Sequence, residues 1–189
     1  MGEFSPEEAP LSGVVLFRPR VFTDSRGFFL ESWSERDFKR LLPGVSFVQE
    51  NHSRSRRGVL RGLHFQNPFP QGKLIRVVRG RVFDVVVDLR RDSPTFGKWW
   101  SVELSEENFL MLYVPPGFAH GFFVLSEWAD VLYKVTEYYH PECEGGIFWA
   151  DEALGIPWPL EEAGVKEPLL SEKDKRWPRF TEWVKCGFS

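Results

Sequence analysis

Two histidines stand in segments suited to present a side chain. His64 belongs to the run GVLRGLHFQ from Gly58 to Gln66, and His120 to PPGFAHGF from Pro115 to Phe122. Glycine or proline turns flank both, at the edge of a β-rich stretch, where loops hold side chains over a cavity. Imidazole is the one side chain that exchanges a proton near neutral pH without a large environmental shift, so these positions suit acid–base chemistry. A lone histidine is more often a core residue with its ring satisfied, a reading that residue type alone favours by about two to one. Lys73, behind Gln71 and Gly72 at the entrance to an apolar strand, reads on its own as an ordinary strand-end lysine.

The elements that must carry these residues are mostly strands. From Leu74 to Leu89 the sequence alternates: Ile75, Val77, Phe83, Val85, Val87 and Leu89 share one parity, and Arg76, Asp84 and Asp88 the other. Gly80 between them predicts the bend of a hairpin. Further strands are expected over Phe109 to Val114, Gly121 to Leu125 and Val131 to Tyr138, with a helix over Ser34 to Leu42 that ends before Pro43 and Gly44. Aromatic residues make up 16% of the chain, which suits sheets packed face to face. The pattern predicts an all-β fold, an antiparallel sandwich or barrel. A length of 189 residues favours one domain, with residues 1–12 as an N-terminal extension and 157–189 as a short helical tail on the barrel.

Composition narrows the partners. With 24 basic and 27 acidic residues the formal charge is -3, which gives no electrostatic reason to expect nucleic acid. Arg54, Arg56 and Arg57 read as a solvated loop face. Cys143 and Cys186 are too few for a disulfide framework, so a reducing cytoplasm is expected. No long uncharged apolar run suggests a membrane span, and the start MGEFSPEEAP is acidic where a signal peptide is basic and then apolar.

The run FVQENHSRSRRGVLRGLHFQ from Phe47 to Gln66, together with QGKLIRVVRGRVFDVVVDLR, PPGFAHGFFVL, YKVTEYYHPECEGGIFW and LSEKD, resembles the dTDP-4-dehydrorhamnose 3,5-epimerases. The likeness extends from about Val14 to Asp174 and keeps the family's order. It implies a cupin-type jelly roll with a few short helices, mainly C-terminal, acting without a cofactor on a dTDP-sugar. His64 is then the base, oriented by Asp174; Lys73 faces the developing enolate, and Tyr133 is the acid. Without the resemblance, Asp174 in its charged run reads as a solvated tail residue and Tyr133 as core. Arg26, Glu31, Gln49, Asn51, Arg61, His120, Glu144 and Lys173 occupy the nucleotide- or sugar-binding positions, and Tyr139 the position that stacks on the thymine ring. The resemblance also implies a homodimer in which Arg26 and Glu31 serve the partner's ligand.

Two positions depart from the family's usual pattern. Cys143 stands where His often precedes Glu144, and Glu152 where proline often follows Asp151. Neither removes a proposed catalytic group. The PPGFAH run also has the Pro-x-Gly-x-x-His form of a metal cupin's second motif, but the first motif here is reduced to His64, Phe65 and Gln66. Ligand counting therefore favours a metal-free site. A non-catalytic sugar-nucleotide-binding module is a second alternative, and it gives no reason to keep His64, Lys73, Tyr133 and Asp174 together. Closer alternatives are enzymes of dTDP-deoxysugars that invert only C3 or only C5, or that shift the ketone along the ring, since these share most of the motifs.

Overall fold

The computed structural model describes residues 3–186; the remaining ends of the expected N-terminal extension and tail lie outside the described residues. In chain order the strands are β1 Phe4–Glu8, β2 Val15–Pro19, β3 Val21–Asp24, β4 Gly27–Leu30, β5 Gln49–Arg56, β6 Leu60–Gln66 and β7 Lys73–Arg79. They continue as β8 Arg81–Asp88, β9 Trp99–Ser105, β10 Met111–Val114, β11 Phe118–Val124, β12 Trp128–Val135 and β13 Glu144–Gly146. Helix α1 spans Glu35–Leu41 and α2 Phe180–Cys186, with a short 3-10 turn over Pro141–Cys143. Among the described residues no helix is long and apolar enough to cross a membrane.

Two antiparallel sheets face each other in the order β1-β2-β10-β7-β12-β5 and β13-β6-β11-β8-β9, while β3 and β4 form a separate hairpin. This is the antiparallel all-β architecture that the strand pattern predicts, in the cupin-like jelly-roll form that the resemblance implies. Between the sheets lies a core to which one sheet gives Ile75, Val77, Leu112 and Val131, and the other Val82, Val86, Phe122 and Val124. Burying side chains of this size contributes roughly 1.5–3 kcal/mol each, and this core joins the two sheets.

Gly80 bends the chain but does not make the expected hairpin. It carries the chain from β7 in one sheet to β8 in the other, at φ +71, and a Cβ there would lie 2.0 Å from the Trp128 carbonyl. The crossing reverses the parity that reads as continuous in the sequence. Odd residues of β7 face the interior, but on β8 the even residues do, and Val85 and Val87 pack on the outer side against Leu63, Ile147 and Trp183. The aspartates of the supposed polar parity, Asp84 and Asp88, are accordingly fully buried.

Other boundaries shift for physical reasons. Strand β5 was not expected: Arg54 and Arg56 stand on the exposed face of this edge strand instead of a loop, and Arg54 pairs with Asp130 at 2.6 Å. Ser34 caps α1 by accepting from the Asp37 amide, and the acidic first turn and basic last turn suit the helix dipole. The tail from residue 157 is mostly turns, helical only at α2, yet it packs closely: Trp158, Leu160, Val165 and Leu170 cover Leu60 and Phe123, and Trp183 covers the outer face of β8.

Candidate active site

The pocket opens between the two sheets. It has a volume of about 310 Å³, and both histidine-bearing strands face it, with His64 on β6 directly opposite His120 on β11 in the ladder. A bulge shapes this wall. From His64 to Arg61 is three residues, whereas the partners His120 and Phe122 are two apart, so β6 carries one extra residue at this point. Strict alternation would send Arg61 and His64 to opposite faces; the bulge turns both toward the pocket. Gly62 makes it possible. Its φ is +135, and a Cβ would lie 2.5 Å from the Gly121 Cα on the neighbouring strand.

His64 is hydrogen-bonded through Nε2 to Asp174 Oδ1, the pair that the resemblance implies. The segment holding Asp174 is tied to the start of β6 by Leu60 N to Leu169 O at 3.1 Å and Leu169 N to Gly58 O at 2.7 Å. Asp174 is no solvated tail residue: it is 2% exposed and accepts from Ser171 Oγ at 2.8 Å and Trp177 Nε1 at 3.2 Å. Burial pushes its carboxyl up, but the hydrogen bonds from His64, Ser171 and Trp177 outweigh burial and hold it below the usual carboxylate range. An ionised carboxylate can only accept, which fixes the proton of neutral His64 on Nε2 and leaves Nδ1 as the basic nitrogen.

Lys73, at the start of β7, lines the same pocket and is no surface lysine. Burial depresses its ammonium to about 8, partly offset by the negative charges of Asp84 and Glu144. Across the interior, His120 Nε2 sits 3.0 and 2.9 Å from the two oxygens of Asp84. Burial lowers the pKa of His120 and raises that of Asp84. Tyr133, on β12, also lines the pocket, and burial raises its phenol above the usual range, which keeps it protonated.

The positions to which the resemblance assigns binding gather around this floor, with two exceptions. Gln49, Asn51, Arg61, His120, Tyr139 and Glu144 line the pocket. Gln49 donates to Asn51 at 2.8 Å and accepts from the Tyr139 amide at 3.2 Å, while Arg61 donates to Ser55 at 2.9 Å. Lys173 lies at the rim, hydrogen-bonded to Glu144, which also accepts from the Tyr139 hydroxyl at 3.1 Å. Arg26 and Glu31 do not join them. Arg26 clamps Asp24 in its own hairpin at 2.6 Å, and Glu31 buries an oxygen without a hydrogen-bond partner.

Asp84 and Gln66 are the residues that sequence reasoning missed. Gln66 is 5% exposed and holds the loop beside Tyr139, donating to the Phe69 and Tyr138 carbonyls at 2.6 and 3.0 Å and accepting from the His140 amide at 2.9 Å. No signal marked Gln66, and Asp84 was marked only as polar. Among the described residues no group of three or more His, Cys, Asp or Glu is placed to hold a metal ion.

A jelly roll whose interior pocket holds a His–Asp pair, a half-buried lysine and a protonated tyrosine defines a class of cupin-type enzyme built for proton transfer. The sequence model described as dTDP-4-dehydrorhamnose 3,5-epimerase matches residues 8–182, and the chain belongs to that family of isomerases. It is 50% identical over 182 residues to the dTDP-4-dehydrorhamnose 3,5-epimerase of Methanothermobacter thermautotrophicus, covering 96% of this chain and 97% of that one. With the enzyme of the same name from Pseudomonas aeruginosa it shares 56% over 170 residues, 89% of this chain and 92% of the relative. Among solved structures, the dTDP-6-deoxy-D-glucose-3,5-epimerase of Legionella pneumophila, in complex with dTDP-4-keto-L-rhamnose, superimposes with a TM-score of 0.89 at 45% identity, covering 94% of this chain and 93% of that one.

Proposed function

We propose that this protein inverts C3 and C5 of dTDP-4-dehydro-6-deoxy-D-glucose, giving dTDP-4-dehydro-L-rhamnose. The observation that carries the reading is the assembly in one pocket of His64, held by Asp174, with Lys73 and Tyr133. Both carbons flank the C4 ketone, so removing either proton gives an enolate with its charge on the C4 oxygen. His64 Nδ1 takes the proton, and Asp174 stabilises the resulting imidazolium. The Lys73 ammonium interacts more strongly with the enolate than with the neutral ketone, which lowers the barrier itself. Tyr133 returns a proton to the opposite face; His64 then releases its proton to solvent and Tyr133 takes one up, and the same steps at the second carbon complete the reaction. Arg61, His120, Lys173, Gln49, Asn51 and Glu144 bind sugar and diphosphate, and Tyr139 stacks on the base.

The ketone is the electron sink, so the protein supplies only proton transfer and charge, with no metal or organic cofactor. The working unit is a homodimer in which the β3–β4 hairpin carries Arg26, with Glu31 just after it, to the partner's pocket. Exposed Phe22, Phe28 and Phe29 on that hairpin support this reading. The free thiols of Cys143 and Cys186 suit a reducing cytoplasm. Incubating the purified protein with the substrate and identifying the product by NMR tests the reading, with chelator in one arm. The doubly inverted sugar, formed equally in both arms, is expected. Inversion at one carbon alone, migration of the ketone, or activity that one added metal restores after chelation would contradict it.

A further inference from the structure

We propose that Asp84 is a positioning residue of this reaction: its carboxylate, enclosed between the sheets, fixes the His120 ring and supplies the buried negative charge that keeps Lys73 an ammonium. The proposal rests on the reading of Lys73 as the group facing the enolate. Asp84 is 0% exposed and is hydrogen-bonded to His120, whose Nε2 faces both of its oxygens. A carboxylate so placed is costly unless it is paired and charge-compensated. Compensation is at hand in Lys73, which comes from the facing sheet and lines the same pocket as His120, the residue bonded to Asp84; the positive charge of Lys73 acts against the burial of Asp84.

Counting the charges assigns the protons. Facing Lys73 are Asp84 from β8, Glu144 from β13 and His120 from β11, with His64 and Arg61 of β6 and Tyr133 of β12 around the same pocket. Glu144 is already hydrogen-bonded to Lys173 and Tyr139 at the rim, which leaves Asp84 as the uncommitted anion. Burial disfavours protonated His120. Burial also raises the pKa of Asp84, an effect that the His120 hydrogen bond and the Lys73 charge oppose; neutral His120 donating Nε2–H to an ionised Asp84, with Lys73 as an ammonium, is an arrangement in which the two charges cancel. Asp84 thereby acts through its neighbours and touches neither the substrate nor the reacting atoms.

The test is the dependence of kcat/KM on pH, from about pH 6 to about pH 10, for wild type, Asp84→Asn, Lys73→Arg and the double variant. Wild type is expected to lose activity on the alkaline side as Lys73 deprotonates near 8, the Tyr133 phenol titrating well above that. Asparagine keeps an oxygen to accept the His120 N–H and removes only the charge, so in Asp84→Asn this limb moves down by about one pH unit or more. Arginine stays cationic, so Lys73→Arg lacks the limb, and adding Asp84→Asn to it introduces none. An Asp84→Asn profile that is uniformly lower but keeps the wild-type limb shows a merely structural role and overturns the proposal. If instead Lys73→Arg keeps the limb, the assignment of Lys73 itself fails. A measurement on the wild type covers the case in which Asp84→Asn does not fold. NMR of nitrogen-labelled histidine is expected to show His120 neutral, protonated on Nε2, at neutral pH; a doubly protonated ring would mean that Asp84's charge is spent on His120, and would overturn the proposal.

Discussion

Tyr133 and Asp174 separate the steps of the proposed reaction. Tyr133→Phe removes the acid but leaves His64 and Lys73 to form the enolate, so deuterium from solvent is expected to enter C3 and C5 faster than either carbon inverts. Exchange and inversion lost in parallel would remove the tyrosine's separate role. Asp174→Asn keeps a group beside His64 but stabilises the imidazolium less, and kcat is expected to fall by about 100-fold or more, judged from what positioned proton transfer contributes. An unchanged kcat would show that the dyad is only structural. At this scale the sequence was informative where a residue type has few other uses beside a turn, as with His64, whereas Lys73 alone reads as an ordinary strand-end lysine. Asp174 and Tyr133 were legible only through the resemblance, because a charged run and an apolar strand hide them among ordinary neighbours. Asp84 stayed hidden for another reason. Its parity suggested the solvent face, and an aspartate is tolerable there because His120 is hydrogen-bonded to both its oxygens and Lys73 from the facing sheet adds a positive charge.

Strands β7 and β8 were read at nearly their true bounds from alternation, yet their relation was not, since Gly80 serves equally well for a hairpin and for a crossing between sheets. The bulge in β6 was equally illegible, because an extra residue shows only against a partner strand. Its importance can be measured. Gly62→Ala combines an unfavourable φ with a backbone clash at 2.5 Å, and is expected to cost about 2 kcal/mol or more and to lower kcat by misaiming Arg61 and His64. Gly164→Ala is the control: at φ +69 with nothing within 4 Å of its Cβ, it carries strain alone, about 1 kcal/mol, with kcat unchanged. Urea denaturation and steady-state rates compare the two. The loop after β8 is held by Asp88, which accepts from Arg90 at 2.9 and 2.7 Å, Ser93 at 2.5 Å and Thr95 at 2.6 Å. Burial pushes this carboxyl up, but those donors outweigh it and hold it at about 2, below its ordinary 3.8. Because the folded value is the lower one, the stabilisation is present above about pH 4 and disappears as pH falls through about 2. Asp88→Asn is expected to lose about 2 kcal/mol at neutral pH and to flatten stability over that acid range. A variant with the wild-type acid dependence would contradict the assignment.

The whole molecule extends beyond one pocket. The β3–β4 hairpin leaves the two-sheet body with Phe28 and Phe29 exposed at 58% and 70%, and it holds Arg26 away from the chain's own site. Composition hinted at spare aromatic surface, but no residue pattern says where a hairpin will stand clear of its sheets. Replacing both Phe28 and Phe29 with Asp is expected to yield a monomer by sedimentation velocity and to lower kcat/KM at least about tenfold, since aromatic anchors dominate such interfaces. A fully active monomer would contradict the shared-site reading. The central claim, that His64 removes both α-protons, is tested most directly by incubating wild type and His64→Ala with dTDP-4-dehydro-6-deoxy-D-glucose in heavy water and following deuterium at C3 and C5 by NMR. Wild type should incorporate deuterium at both carbons and invert both. His64→Ala should lose exchange and inversion together, by about 100- to 10,000-fold, and exchange at the wild-type rate in that variant would contradict the mechanism.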